Sequence, residues 1–181
     1  MAAPPSLVMF IRHGEKPRKD GSIPLGVTPE GAADTHSLLV RGWIRAGALI
    51  PFFQWAQDGI ELPRVIFAAS PGDDASPHGK RASQTVTPLS LARGIPLDTR
   101  FAVGDESNVA SEILRQDGPV LVCWEHHNIP LIVAALGVKD EAACNWPDDR
   151  FDMIWLLRSS GPVGYSFIVK NQELLDGDVR T

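Results

Sequence analysis

Two short runs of consecutive apolar residues, Val65-Ile-Phe-Ala-Ala and Val120-Leu-Val-Cys-Trp, most constrain the fold of this chain. A strand that is apolar on both faces is typical of a parallel sheet, because helices cover both faces of such a sheet. Helical patterns alternate with the strand-like runs along the chain. The sequence therefore predicts a three-layer α/β sandwich with a mostly parallel central sheet and helices on both faces.

The patterns also predict the bounds of these elements. Strands are expected at residues 7–12, 65–70, 120–125, 151–158 and 165–170, and helices at 41–57, 81–93, 109–116 and 129–136. Residues 159–162 join the last two strands and favour a hairpin, which would form an antiparallel edge. Residues 20–35 are polar and rich in glycine and proline, so a loop over the sheet edge is expected. Pro51 and Pro88 fall inside helical patterns, so both helices are expected to break or kink there.

The size and charge of the chain narrow the class of protein. At 181 residues, positions 1–181 are expected to form a single domain with its own core. The net charge of −5 argues against a nucleic-acid or membrane-surface partner. No apolar stretch approaches the length of a spanning helix. Cys123 lies in an apolar run, where a free buried thiol is expected, and a cytoplasmic location is the simplest prediction.

Reactive side chains follow three of the predicted strands, at the point where each strand ends. In open α/β sheets ligands bind at the carboxyl ends of the strands, and parallel strands bring these ends to one edge. The strand ends carry Arg12-His13 after the first run, Ser70-Pro71 and then Lys80-Arg81 after the second, and Glu125-His126-His127-Asn128 after the third. Their convergence predicts a single ligand site.

The residue types at these strand ends suit phosphoryl transfer through an enzyme nucleophile. The guanidinium groups of Arg12 and Arg81 can each bind two phosphate oxygens. A neutral imidazole, such as that of His13, is a competent nucleophile near neutral pH. A second, protonated histidine can neutralise the charge that spreads over the phosphoryl oxygens. This chemistry requires no metal ion and no cofactor.

Four stretches, in order, resemble the histidine phosphatase superfamily, in its phosphoglycerate-mutase-like branch. They are Leu7-Val-Met-Phe-Ile-Arg-His-Gly-Glu15, Arg41-Gly-Trp-Ile-Arg-Ala-Gly-Ala-Leu49, Ser70-Pro71 with Arg81-Ala-Ser-Gln-Thr85, and Val120-Leu-Val-Cys-Trp-Glu-His-His-Asn-Ile-Pro130. The resemblance spans residues 7 to 130 and implies metal-independent hydrolysis of phosphomonoesters. By position, His13 would be the phosphorylated nucleophile, and Arg12, Arg81 and His126 would complete the phosphate pocket.

The resemblance also implies a carboxylic acid that protonates the leaving oxygen. Members of the family commonly supply it from the stretch after the second arginine, where Asp105 and Glu106 lie. Glu106 is favoured over Asp105, and Glu15 and Glu125 stay open because each is close in sequence to a pocket histidine. The residues expected to contact substrate are Glu15, Lys16, Asp105, His127 and Asn128.

The chain departs from the family pattern at several points that bear on the substrate. Lys16 adds positive charge where the family often has a small or hydroxyl residue. Residues 72–80 insert nine positions between the Ser-Pro pair and Arg81. His127 stands where the acid-phosphatase branch has an acidic residue, so a phytase-like enzyme is not expected. The long insertion of the sugar-phosphate mutases is missing. The expected partner is therefore a phosphorylated small molecule or a phosphoprotein, with the oligomeric state left open.

Other interpretations of the same residues remain. Adjacent side chains at a strand end point in opposite directions, so His126 and His127 are not expected to bind one metal ion. Within enzymes, the alternatives are a phosphotransferase or mutase and a phosphatase of phosphohistidine proteins. A different class is a non-catalytic module that binds a phosphorylated ligand on the same fold.

Overall fold

The computed structural model describes residues 4–55, 59–72, 79–161 and 164–180. A six-stranded sheet forms its centre, with the strands in the spatial order β5-β4-β6-β1-β7-β8. The strands are β1 (Leu7–Arg12), β4 (Val65–Ala68), β5 (Leu97–Asp98), β6 (Val120–Trp124), β7 (Met153–Ser159) and β8 (Tyr165–Asn171). A separate two-stranded sheet pairs β2 (Gly26–Val27) with β3 (Ala33–Asp34).

The pairing of the strands confirms the mixed sheet that the sequence predicts. Strand β1 pairs with β6, β6 with β4, and β4 with β5, each in parallel. Strand β7 is antiparallel to both of its neighbours, β1 and β8. The predicted hairpin is therefore present at the edge; part of its turn, residues 162–163, lies outside the described residues.

Four helices and one short 3₁₀ helix connect the strands. They are α1 (Val40–Gln54), α2 (Lys80–Arg93), α3 (Glu106–Ile113), α4 (Ile129–Ala135) and the 3₁₀ helix Glu141–Cys144. The crossovers through α1 and α2 step along the sheet in one direction, whereas the crossover through α3 steps back. Right-handed crossovers therefore place α1 and α2 on one face and α3 on the other. Helix α1 packs against α2 and α4 against α3, which completes the three layers. None of the described helices is long and apolar enough to cross a membrane.

The core lies around β1 and β6, in which every residue is buried. Both strands are covered on both faces, which is why the second of them reads as a continuous apolar run. Cys123 is a buried free thiol, as expected, and its burial raises the pKa of the thiol far above the usual value. At neutral pH this cysteine is a packing residue.

Of the predicted alternatives, a break or a kink, the break is wrong at both prolines. Helix α1 continues through Pro51 into its last turn, and α2 continues through Pro88. A proline removes one backbone hydrogen bond, but Val86 and Leu89 on either side of Pro88 are fully buried and hold that helix against the core.

Two short pairings were not predicted. Strand β5 and the β2–β3 hairpin are built from strands of two residues each, too short for a periodic pattern. The hairpin lies inside residues 20–35, which were expected to form only a loop.

A buried ionic network ties α1 to the segment after β8. The guanidinium of Arg45 donates to Glu15 Oε1 at 2.8 Å, to Asp178 Oδ1 at 2.7 Å and to Gln172 Oε1 at 3.1 Å. Burial alone would lower the pKa of Arg45, but its hydrogen bonds to Asp178 and Glu15 outweigh that effect and raise it. One turn earlier, Arg41 also donates to Glu15 at 3.0 Å, with its side chain 45% exposed.

Replacing Arg45 by alanine should lower the free energy of unfolding by about 3–5 kcal/mol, because Glu15 and Asp178 would be left buried without their main partner. Arg41→Ala is the matched control, since Arg41 shares both carboxylates but is half exposed. It should cost no more than about 1 kcal/mol. Urea denaturation of the two variants measures the difference. Equal losses of unfolding free energy in the two variants would show that the buried Arg45 does not stabilise the network more than the half-exposed Arg41 does.

Candidate active site

Three strand ends meet at one edge of the sheet, as the sequence predicts. In the parallel register of β1 and β6, Arg12 pairs with Trp124, and the backbone N–H of His13 donates to the Trp124 carbonyl at 3.3 Å. On the other side of β6, Ala69 donates to the carbonyl of Cys123 at 3.3 Å. The residues that follow β1, β4 and β6 therefore start from neighbouring positions.

The imidazole of His13 is buried and neutral. Its Nδ1 lies 2.8 Å from the carbonyl oxygen of Gly14, which can only accept, so Nδ1 carries the hydrogen and Nε2 the lone pair. Burial, opposed by the hydrogen bond to the Gly14 carbonyl and reinforced by the charges of Arg12, Arg81 and Lys16, lowers the pKa of His13 to about 3. At neutral pH the ring therefore presents an unprotonated nitrogen.

Hydrogen bonds hold the loop after His13 against α2. The backbone N–H of Gly14 donates to Thr85 Oγ1 at 2.8 Å, and this hydroxyl donates to the carbonyl of Arg81 at 2.7 Å. The two segments that carry His13 and Arg81 are thus coupled through one threonine. Thr85 belongs to a matched motif, but no role was predicted for it.

The guanidinium of Arg12 is buried and only partly bonded. Its Nη1 donates to the carbonyls of Asp148 at 2.7 Å and Arg150 at 3.2 Å, and the group lies 3.9 Å from the centre of the Phe151 ring. Its Nε and Nη2 are buried, and no described residue forms a hydrogen bond with either of them. Burial lowers the pKa of Arg12 to about 10, so the group is still charged at neutral pH.

Arg81, in the first turn of α2, also carries a buried N–H group. Its Nε is buried without a partner among the described residues, and burial lowers the pKa of Arg81 below the usual value. Unbonded buried donors are costly, at about 1–3 kcal/mol for each group. Three such donors lie on two arginines that are both close enough to His13 to lower its pKa, and together they suit an anion with several oxygens.

His126 lies between two carboxylates. Its Nε2 is 2.9 Å from Asp148 Oδ1, and its Nδ1 is 2.7 Å from Glu125 Oε1 without the geometry of a hydrogen bond. Burial alone would raise the pKa of Glu125, but the nearby imidazoles of His126 and His127 outweigh it and lower the pKa to about 2. Glu125 is therefore a carboxylate at neutral pH and is poorly suited to donate a proton. Asp148 was not predicted, because it comes from a polar segment far along the chain with no motif of its own.

The prediction that the side chains of His126 and His127 point in opposite directions is wrong. Strand β6 ends at Trp124, and the chain turns immediately afterwards, so strand alternation no longer sets the directions of these side chains. The two rings stack with their centroids 3.9 Å apart. The geometric reason for excluding a shared metal ion therefore does not hold.

The two acid candidates have different surroundings. Glu106, at the start of α3, is buried, and its Oε1 accepts from Trp124 Nε1 at 3.1 Å and Asn128 Nδ2 at 2.8 Å. These donors belong to the end of β6 and the residue before α4, so Glu106 is bonded to both ends of the turn that carries His126. Asp105 is partly exposed and accepts only locally, from the backbone N–H of Ala102 at 3.2 Å.

The residues expected to contact substrate divide into two groups. Lys16 lies close to the pocket, since burial and the charges of Arg12 and Arg81 lower its pKa. His127 is exposed at the rim, with 58% of its side chain accessible. In contrast, the Glu15 carboxylate is held by Arg45 and so faces the buried network.

The remaining two substrate candidates, Asn128 and Asp105, are bound within the protein itself. Six of the nine inserted residues, 73–78, lie outside the described residues. The catalytic roles of the site residues stay predictions.

Comparisons with known proteins identify the fold. No protein-family model and no curated protein matches the chain. Among solved structures, an alpha-ribazole phosphatase from Shigella flexneri matches with a TM-score of 0.55 and 13% identity, over 91% of this chain and 96% of that chain. A mycobacterial glucosyl-3-phosphoglycerate phosphatase, solved with inorganic phosphate, matches with a TM-score of 0.52 and 14% identity, over 91% of this chain and 95% of that chain.

A third structure, a candidate phosphohistidine phosphatase SixA from Agrobacterium tumefaciens, matches with a TM-score of 0.54 and 12% identity, over 91% of this chain and 96% of that chain. The match covers nearly the whole of each chain. The protein therefore shares the α/β fold of these solved phosphatases, and this is the fold that the resemblance of its motifs implied.

The close packing of α1 on the loop after His13 gives a test of the pocket. A Cβ at Gly42 would lie 2.7 Å from the carbonyl oxygen of Glu15, a backbone atom that cannot move without shifting the loop. Gly42→Ala should weaken binding of inorganic phosphate about tenfold or more, because the loop carries His13. Gly47→Ala is the control in the same helix, since a Cβ there meets nothing within 4 Å. Calorimetric titration with phosphate should separate the two variants, and equal affinities would show that the loop does not shape the pocket.

Proposed function

We propose that this protein hydrolyses phosphomonoesters without a metal ion, through a phosphohistidine on His13. The observation that carries the proposal is a neutral buried imidazole beside two arginines whose buried N–H groups have no partner in the part of the chain that the structure describes. A phosphoryl group supplies both what the imidazole can attack and the oxygens that these donors lack.

In the first step, Nε2 of His13 attacks phosphorus in line with the leaving oxygen. The N–H groups of Arg12 and Arg81 that have no partner among the described residues bind the equatorial oxygens, and a protonated His126 adds the hydrogen on its Nδ1 as a further donor. The bond from phosphorus to the leaving oxygen breaks as the Nε2–phosphorus bond forms. Glu106 gives its proton to the departing alkoxide, so that an alcohol leaves and Glu106 becomes a carboxylate.

In the second step, water cleaves the phosphohistidine. The Glu106 carboxylate takes a proton from the water as its oxygen attacks phosphorus, and the electrons of the breaking bond return to Nε2 of His13. Inorganic phosphate leaves, and Glu106 is again protonated. The Nδ1–H of His13 stays on the Gly14 carbonyl throughout, so that Nε2 keeps its role as nucleophile and leaving group.

The substrate is expected to be a phosphorylated small molecule or a phosphoprotein. Two of the similar structures are named as phosphatases of small phosphorylated molecules, and a third as a candidate phosphohistidine phosphatase. The charge of Lys16 near the pocket favours an anionic substrate. A phosphotransferase would share the first step, and transfer of phosphate to an added acceptor alcohol in place of water would identify it.

His13→Ala should reduce turnover of p-nitrophenyl phosphate, in the presence of a chelator, to below about one per cent of wild type, because no other group forms the covalent intermediate. The fold should persist, as judged by circular dichroism. The control is His36→Ala, which removes an exposed histidine outside the matched motifs. Substantial residual turnover in His13→Ala would refute the nucleophile assignment. A wild-type protein that binds phosphate and turns nothing over would support the non-catalytic module.

Glu106→Gln should lower kcat/KM for alkyl phosphates by about 10²–10⁴, because an alkoxide needs a proton to leave. The loss should be far smaller for p-nitrophenyl phosphate, whose leaving group departs as a stable anion. Asp105→Asn is the neighbouring control and should leave both values close to wild type. A larger loss of kcat/KM in Asp105→Asn than in Glu106→Gln would show that Asp105 is the general acid.

A further inference from the structure

Three potential metal ligands lie together at the end of β6. Donor atoms of Glu125, His126 and His127 all lie within 4.8 Å of one another. They come from consecutive residues that the turn after Trp124 gathers on one side. His126 is almost fully buried, whereas 24% of the Glu125 side chain and 58% of the His127 side chain are exposed. The cluster is therefore anchored in the protein and open to solvent at its rim.

The hydrogen bonding of His126 leaves one ring nitrogen without a partner. Asp148 Oδ1, at 2.9 Å, accepts the hydrogen of Nε2. In the neutral ring Nδ1 then carries a lone pair, and this buried atom has no hydrogen-bond partner although Glu125 Oε1 is only 2.7 Å away. A carboxylate oxygen that faces a ring nitrogen at this distance requires a cation there, which is a proton in the charged ring and a metal ion once that proton is released.

Asp148 stands in the position of an outer-shell partner. Histidines that bind metals commonly donate their second ring N–H to a carboxylate, which fixes the tautomer and the orientation of the ring. The Nε2 of His127 also lies 3.5 Å from the same Asp148 oxygen. Asp148 is therefore hydrogen-bonded to His126 and lies near His127 without a hydrogen bond to it.

Two imidazoles and one carboxylate are a ligand set that zinc takes in proteins, with the fourth position left to water or another ligand. Other late first-row divalent ions accept the same donors. Arg12, Arg81 and Lys16 lie near Glu125 and oppose the binding of a cation. The site is therefore expected to hold its ion less tightly than a closed structural zinc site does.

We propose that Glu125, His126 and His127 bind a divalent transition-metal ion such as Zn²⁺, and that the bound ion inhibits the enzyme by taking His126 from the phosphate pocket. The inhibition rests on the proposed phosphatase function, whereas the binding of the ion does not. The catalytic reaction needs no metal, so the site is regulatory. Phosphate and metal compete for the same imidazole.

Titration of the chelator-treated protein with Zn²⁺ by calorimetry tests the binding. Wild type should bind one ion per chain, and Glu125→Gln and His127→Ala should each weaken binding about tenfold or more. His36→Ala removes a histidine that also lies near a carboxylate, Asp34, and should leave the affinity unchanged. Co²⁺ in place of Zn²⁺ should give the visible absorption of a tetrahedral site in wild type and lose it in both variants. Absent binding, or binding that both variants retain, overturns the proposal.

The inhibition is read separately, as the Zn²⁺ concentration that halves turnover of p-nitrophenyl phosphate. It should rise about tenfold or more in His127→Ala, in step with the binding. Zn²⁺ that binds to wild type without lowering its turnover overturns the inhibitory role. A wild type that binds Zn²⁺ and has no turnover disproves the proposed function and leaves the metal site standing. Turnover without any Zn²⁺ binding disproves the metal site alone.

Discussion

The parallel pairing of β1 with β6 is the constraint on which the rest of the site depends. Because Arg12 pairs with Trp124, the residues that follow the two strands, His13 and Glu125, emerge side by side at one edge of the sheet. Both strands are buried along their whole length, so a slip of one residue would exchange the side chains on the two faces. The register that packs the core is therefore also the register that assembles the pocket.

Two buried arginines differ in how many of their N–H groups are hydrogen-bonded within the protein. Arg45 donates to Glu15, Asp178 and Gln172 and is fully engaged within the protein. Arg12 uses one nitrogen to hold the carbonyls of the loop before β7, and keeps two buried nitrogens without a partner. That arrangement costs stability in the free protein, and an anion that binds there restores the missing hydrogen bonds. Arg12, whose N–H groups are not all hydrogen-bonded, is thus the arginine that belongs to the candidate site.

The sequence predicted the features that depend on long apolar runs and on the polar residues at their ends. The alternation of elements, the edge hairpin and the meeting of the strand ends were all confirmed. Strand β5 was missed because a two-residue strand has no periodicity, and the breaks at Pro51 and Pro88 were wrong because packing outweighs one lost hydrogen bond. Asp148 could not be found, since only the fold brings it to His126. Neighbours such as Asp105 and Glu106 look alike in sequence and differ only in their contacts.

The central claim is a covalent intermediate on His13, and intact-protein mass spectrometry after rapid quenching tests it most directly. The measurement uses Glu106→Gln with p-nitrophenyl phosphate, because this leaving group needs no acid while hydrolysis of the intermediate lacks its base. A mass increase of about 80 Da that is lost on acid treatment, and that is absent when His13→Ala is added, is the predicted result. Turnover by Glu106→Gln without that adduct, or an adduct that persists without His13, would contradict the account.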